Sequence, residues 1–477
     1  MEFASKSRQL IEGVLALACS AILIWFGNGL NPQWLLMWFA VLPVLWFALR
    51  SSWRSAALVA AASMMLGGMN MLHYFHDVIQ IPVSAWVVVY GFVSVMFAVG
   101  VLLFRALIFR GAVWSGLLAL PALWVSMEYV RNLVTPHGSA GSLAYTQLKF
   151  LPYLQLASLT GPWGMTFFLL LLQSAIAIAI DLWSRERRLA VRVLGTSVAT
   201  IAVVLVFGAI RLAGPQGKTM RVGLIASDER TNLSPPEPGA PTQRLFSDYL
   251  AAAEGLAARG AQAIVIPEKV GVVTESDMKA TDDVLQAMAD RTGVTIVAGV
   301  VRVAPPLKYN EARVYAPHVQ VASYDKEHML PPFESDLEPG KTLTLLPKGK
   351  ETVGVAICKD MDFARPARSY GEAGAGVMLV PAWDFIADNT WHGHIAVMRG
   401  VEDGFSLVRS AKTGFLTVSD SRGRIIGEAR SDAAPFATLI ADVPSEHHQT
   451  LYLRWGDWFA WVAMGLLAWT LTRLIAR

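Results

Sequence analysis

Apolar runs about 20 residues long fill positions 1–215 and return at 456–475, while residues 219–449 between them mix polar and apolar side chains in ordinary proportion. A helix needs roughly 20 apolar residues to cross a bilayer. Inside hydrocarbon every backbone N–H and C=O must be bonded within the spanning structure, which leaves helices as the way such runs can fold. The chain is therefore constrained to an α-helical membrane bundle carrying one separate polar domain. Composition agrees: 54% of residues are hydrophobic and 16% charged, against about a quarter charged in soluble proteins. The net charge of +3 and the lack of a basic cluster exclude a nucleic-acid-binding surface.

Eight spans are expected, near 9–27, 33–49, 55–76, 83–104, 112–130, 159–182, 190–213 and 456–475. Lys and Arg are enriched in cytoplasmic loops. With Lys6 and Arg8 inside, alternate loops on that side carry Arg50 with Arg54, Arg105 with Arg110, and Arg185, Arg187, Arg188 and Arg192, followed by Arg473 and Arg477 at the end. The loops at 27–33 and 75–82 carry neither residue type. Seven helices in 1–215 then place the domain at 219–449 outside, and 450–477 returns through the membrane. Glu128 and Arg131 lie at the end of the fifth span, where ionised groups are expensive in lipid; pairing at the helix end is expected, with a role in gripping a lipid head group as the alternative.

From Met220 onward, short β-branched runs alternate with amphipathic stretches. Strands are predicted at Arg221–Ile225, Ala263–Ile266, Thr295–Ala298, Val319–Tyr324, Thr352–Ile357, Gly376–Val380, Ser406–Ser410 and Gly414–Ser419. Helices are predicted at Gln243–Arg259, Thr281–Arg291, Ala364–Glu372 and Trp391–Asp403. This alternation implies a layered α/β sandwich. Three strands run into a chemically active residue: Ile266-Pro267-Glu268, Tyr324-Asp325-Lys326 and Ile357-Cys358-Lys359. Sites in α/β layers form at the carboxyl ends of strands, so these three groups are candidates for one cluster. The chain has two cysteines. Cys19 lies in the first apolar run, so no disulfide with Cys358 is expected. His392 and His394 have a spacing that can hold a metal, but no third ligand pattern accompanies them; neither metal nor cofactor is expected.

The segments "VIPEKV", "SYDKEHMLPPFE" and "VGVAICKDMDF" resemble, in order and spacing, the Glu, Lys and Cys motifs of the nitrilase (carbon–nitrogen hydrolase) superfamily. "MRGVEDGFSLVRSAKTGFLTVSDSRGRIIG" is similar to the helix, strand and hairpin that follow the nucleophile there. Combined with seven preceding spans and one following, and with "LPALWVSMEYVR", "LASLTGPWGMTFFLLLL" and "TLYLRWGDW", the chain resembles the apolipoprotein N-acyltransferase family over nearly its whole length. The resemblance implies a nitrilase-like α-β-β-α sandwich in the outer domain and a multi-pass protein of a bacterial inner (plasma) membrane with its catalytic domain on the periplasmic side. It also implies a phospholipid acyl donor and a diacylated lipoprotein as acceptor.

A thiol becomes an effective nucleophile only as it loses its proton. Glu268 is expected to take the Cys358 proton and return it to the leaving group. Lys326 is expected to place positive charge beside the sulfur and the oxyanion of the tetrahedral intermediate, giving a thioester on Cys358. Glu334, in "PPFE", resembles a family glutamate and is the candidate to orient Lys326. Lys359 and Asp360 stand where the family usually has an aromatic residue and a glutamate, and are supporting candidates. Phe333, Trp383, Phe385 and Trp391 are candidates for a lid or for lipid contact. An amine entering the thioester gives an amide and water gives an acid, so a membrane-anchored amidase or hydrolase is the alternative.

Overall fold

The computed structural model describes residues 2–229, 234–348 and 351–475; Arg477, expected at the inner face, lies outside them. The chain divides into two compact units: Met1–Thr135, Ser139–Ala213 and Trp455–Arg477 form one, and Pro136–Gly138 with Gly214–Arg454 the other.

Among the described residues of the first unit six helices are long and apolar enough to cross a membrane: Ser7–Gly27, Val83–Phe109, Val113–Val134, Pro162–Leu182, Arg187–Ala213 and Trp458–Ile475. The runs at 33–49 and 55–76 are built differently. The first is two short helices, Trp34–Met37 and Leu42–Ala48, the second of which has a proline in its first turn. The other is Trp53–Gly68, followed by a 3₁₀ turn at Met69–Met71 and a π turn at Tyr74–Val78.

Glu128 does not take the partner expected of it. Its carboxylate is buried and accepts from Trp124 Nε1 at 3.0 Å, Ser142 Oγ at 2.8 Å, Leu143 N at 2.8 Å and Thr166 Oγ1 at 3.0 Å. Arg131 donates instead to the Ala140 carbonyl at 3.1 Å. Four donors satisfy a buried carboxylate without a counter-charge, so Glu128 ties the Val113–Val134 helix to the loop after it and to helix Pro162–Leu182.

Among its described residues the second unit holds twelve strands: β1 Thr219–Ala226, β2 Ala263–Thr274, β3 Thr295–Ala304, β4 Leu307–Tyr315, β5 Ala322–Asp325, β6 Thr344–Lys348, β7 Glu351–Val355, β8 Ala375–Trp383, β9 Ser406–Lys412, β10 Phe415–Ser419, β11 Ile425–Arg430 and β12 Ala437–Pro444. They form two six-stranded sheets, ordered β12-β1-β2-β3-β4-β5 and β11-β10-β9-β8-β7-β6. Strand side chains alternate between faces, and the burial follows. Val222, Leu224, Val265 and Val297 point into the core shared with Val353, Val355, Val377 and Leu379 of the other sheet. Their neighbours Ile225, Ile264 and Ile296 pack outward with Phe246, Tyr249, Leu285 and Met288. The last four lie on helices Ala240–Ala258 and Glu275–Thr292. Helices Ala364–Glu372 and Trp391–Asp403 lie beside the second sheet. The result is the α-β-β-α sandwich expected. β4, β6, β11 and β12 have no counterpart among the predicted strands. β4, for instance, carries Asn310, Glu311 and Arg313, all buried polar groups.

Candidate active site

Glu268 leaves its strand at a break in the ladder. β2 pairs with β3 through Ile266↔Ala298, and pairing resumes only at Gly271↔Val300, so the intervening residues of β2 bulge out. Bulges re-aim side chains in this way. Gly299 opposite makes the bulge possible: a Cβ there would lie 2.4 Å from Pro267 O and 2.5 Å from Glu268 Cα. Lys326 follows β5 directly, and Cys358 opens the 3₁₀ turn Cys358–Asp362 after β7. The carboxylate and ammonium thus come from one sheet and the thiol from the other.

The first two meet in a buried cluster. Lys326 Nζ lies 2.8 Å from Glu268 Oε1 and 2.8 Å from Glu334 Oε2. Asn310 Nδ2 donates to Glu268 Oε1 at 2.5 Å and to Glu334 Oε1 at 2.8 Å. Lys269 Nζ adds 2.7 Å to Glu334 Oε1, and Leu330 N adds 2.9 Å to Oε2. Among the described residues Glu268 Oε2 accepts no hydrogen bond, so one oxygen anchors the lysine and the other is left for a proton. Burial alone would push the Lys326 ammonium down; Glu268, Glu334 and Cys358 hold it well above its ordinary value. Burial likewise pushes the Glu334 carboxyl up, and Lys326 and Lys269 outweigh that and hold it far below the carboxylate range.

Cys358 adopts φ +40°, and Lys269 and Thr413 nearby have φ +50° and +49°. Positive φ is uncommon for residues with a Cβ and is held where surrounding structure over-determines it, as at active sites. The thiol donates toward Trp383 O at 3.6 Å, and Arg409 Nη2 lies 3.9 Å from the sulfur. Burial and the Glu268 charge raise the thiol far above its usual range, while Lys326 and Arg409 pull it back. These surroundings favour the thiol over the thiolate, so a nucleophilic role for Cys358 would need a group to take its proton.

The family model for the apolipoprotein N-acyltransferase N-terminal domain matches residues 20–175, and that for carbon-nitrogen hydrolase matches residues 240–452. An apolipoprotein N-acyltransferase of Geobacter metallireducens is 28% identical over 386 residues, covering 73% of this chain and 72% of its own. One of Gloeobacter violaceus is 25% identical over 97% of this chain and 95% of its own. The chain belongs to the apolipoprotein N-acyltransferase family. Among solved structures, a mutant of the Nesterenkonia AN1 amidase from the nitrilase superfamily aligns with TM-score 0.43 and 22% identity, covering 51% of this chain and 95% of that one.

In this apolipoprotein N-acyltransferase family member the supporting candidates separate. Asp360 is wholly occupied as a brace. Its Oδ2 accepts from Tyr324 OH at 2.8 Å and Ile357 N at 3.2 Å, and its Oδ1 from the backbone N–H of Glu327 at 3.1 Å and of His328 at 2.8 Å. It therefore joins the turn bearing Cys358 to the segment bearing Lys326. Lys359 Nζ lies 3.3 Å from His137 Nδ1 and 5.7 Å from the Phe363 ring centre, and burial lowers its ammonium. Of the aromatic candidates, Phe333 and Phe385 meet at 5.2 Å between ring centres, whereas Trp391 packs on His392 at 5.1 Å. Trp383 is held between lysines, with Lys412 Nζ 3.7 Å and Lys269 Nζ 5.3 Å from its ring centre. Asn310, Lys269, Asp384, Arg409 and Lys412 are contributors the motifs do not mark. Arg409 and Lys412 do leave a trace: two cations within a strand buried at every position, where unpaired charge is rare.

Proposed function

We propose that this chain transfers an acyl chain from a membrane phospholipid, through a thioester on Cys358, to the N-terminal amine of a diacylated lipoprotein. Membership of the apolipoprotein N-acyltransferase family supports the overall reaction. For the chemistry, the observation that carries the reading is the unoccupied Oε2 of Glu268 beside a Lys326 fixed at 2.8 Å from the opposite oxygen of the same carboxylate.

Glu268 takes the thiol proton as the Cys358 sulfur attacks the ester carbonyl carbon of the donor, forming a C–S bond. Lys326 lies where it can neutralise the oxyanion of the tetrahedral intermediate, an interaction strongest in a dry site. Collapse breaks the C–O bond, and Glu268 returns its proton to the departing alkoxide. Glu334 is a positioning residue in this scheme: it accepts a second hydrogen bond from Lys326, at 2.8 Å. Phe333 and Phe385 form the apolar lip toward the acyl chain.

We place the sandwich on the periplasmic face of a bacterial inner membrane, with eight crossings in all. Six are the long apolar helices; the others are Trp34–Ala48 and the helix Trp53–Gly68 with its continuation. The Arg-bearing loops at 50–54, 105–110 and 185–192 support that orientation. A domain joined to spanning helices at both ends shares the plane of its lipid substrates.

The test is mass spectrometry of the purified protein after incubation with phospholipid, followed by addition of a diacylated lipopeptide. An acyl group on Cys358 that then appears as an amide on the lipopeptide is expected, and Cys358→Ala abolishes the adduct. Release of fatty acid alone, or no adduct in the wild type, overturns the proposal.

A further inference from the structure

Lys412 ends β9 beside Trp383 at the end of β8, in register with it. The side chain is 1% exposed. Its ammonium donates to the Lys269 carbonyl at 3.2 Å and sits 3.7 Å from the Trp383 ring centre. Among the described residues no carboxylate pairs with it. Lys326 and Lys269, by contrast, each have two, Glu268 and Glu334. Burying an ammonium without a counter-ion is costly by several kcal/mol, and a buried ionisable group of this kind marks a functional position. Burial pushes the Lys412 ammonium down to about 7; Glu268 opposes this, Lys269 adds to it and Asp228 opposes it. Near neutral pH the amine is available as a base.

Proton stoichiometry supplies a use. The thiol proton moves to Glu268 and then to the leaving alkoxide, so the first half-reaction is proton-neutral. The second is not. A terminal amine, with pKa near 8, arrives mainly as an ammonium, and forming an amide from it releases one proton more than Glu268 and Cys358 can exchange between themselves. Water as acceptor makes no such demand.

We propose that Lys412 is the second base of the site, taking the proton that an ammonium acceptor must shed before its nitrogen attacks the Cys358 thioester. This rests on the acyl-transfer reading above. The acceptor's –NH₃⁺ gives one proton to the Lys412 amine. The freed nitrogen attacks the thioester carbon and loses its second proton to Glu268. The C–S bond breaks, and Glu268 returns that proton to the sulfur. Lys412 then releases its proton to solvent, so one amide, one thiol and one proton result. The Trp383 ring covers the Lys412 nitrogen, its centre 3.7 Å away.

The experiment uses the full chain in lipid nanodiscs, carrying a preformed acyl–Cys358. It is treated with either a diacylated lipopeptide or hydroxylamine, a nucleophile that is already a free base at neutral pH. Wild type is compared with Lys412→Met and with Lys412→Arg, which keeps the charge but cannot act as a base. At pH 7 both variants are expected to slow transfer to the lipopeptide by about 100-fold relative to hydroxylamine. Raising the pH toward full deprotonation of the lipopeptide amine should close that gap. Equal slowing with both nucleophiles, or none with either, overturns the assignment to Lys412. Failure of the wild type to form the thioester overturns the acyl-transfer reading itself.

Discussion

Arg409 grips Asp384 through two parallel hydrogen bonds, Nη1 to Oδ2 at 2.7 Å and Nη2 to Oδ1 at 2.5 Å, and the same Nη2 lies 3.9 Å from the Cys358 sulfur. Both side chains are buried. The guanidinium is thus fixed by a fork that leaves its charge facing the thiol, a geometry a lysine cannot reproduce.

Arg409→Met should destabilise the protein by about 3–5 kcal/mol, because it leaves Asp384 as an uncompensated buried carboxylate. Arg409→Met with Asp384→Asn should recover most of that loss. It should still form the Cys358 adduct more slowly than wild type, since the charge opposite Glu268 is gone. Chemical denaturation and adduct-formation rates measure the two effects separately. Full recovery of rate in the double variant would show that Arg409 acts only as a structural brace.

Glu268 opposes itself in two assays. Its negative charge is, after burial, the main cause holding the Cys358 thiol up, yet in the proposed scheme its free oxygen is the proton acceptor for acylation. Glu268→Gln should therefore let iodoacetamide label Cys358 at lower pH than in wild type. The same variant should lose acyl transfer from phospholipid by roughly 10²–10⁴-fold, the usual contribution of general base catalysis. Labelling that shifts to higher pH would mean that Glu268 does not face the sulfur.

How far the sequence reveals this site depends on whether a residue's partners are near it in the chain. Glu268, Lys326 and Cys358 were legible because each ends an apolar run, and strand ends collect reactive groups. Helices Ala364–Glu372 and Trp391–Asp403 were legible to their end residues from periodicity. Asn310 was not, because β4 alternates polar and charged residues whose burial depends on β3 and β5 closing around them. Glu128 misleads for the same reason. Arg131 stands one turn away, but the donors it takes from beyond its own helix come from Ser142, Leu143 and Thr166, supplied by later parts of the fold. A sequence displays adjacency; only packing decides which of two charges is answered by neutral donors.

His392 supplies a pH dependence whose sign follows from its surroundings. Its Nδ1 lies 3.0 Å from Asp362 Oδ1 and its Nε2 3.3 Å from Asp388 Oδ2. Burial alone would lower the imidazole; the two carboxylates outweigh it and raise the ring to about 10. In the unfolded chain it titrates near 6.5. A group raised on folding contributes its full stability below the unfolded value and loses it as pH climbs through the folded value. The wild-type thermal midpoint should therefore fall between about pH 6.5 and 10 for this group, and His392→Asn should be less stable at pH 6 and lack that part of the slope. Asp362 closes the turn that begins with Cys358, and Asp388 lies in the turn that follows Phe385. Loss of the ring's proton thus frees the nucleophile's turn from the loop beside it. Adduct formation by the wild type should decline over the same alkaline range even though the thiol ionises more readily there. If midpoint and rate in His392→Asn keep the wild-type pH profile, the imidazolium is not what joins these two turns.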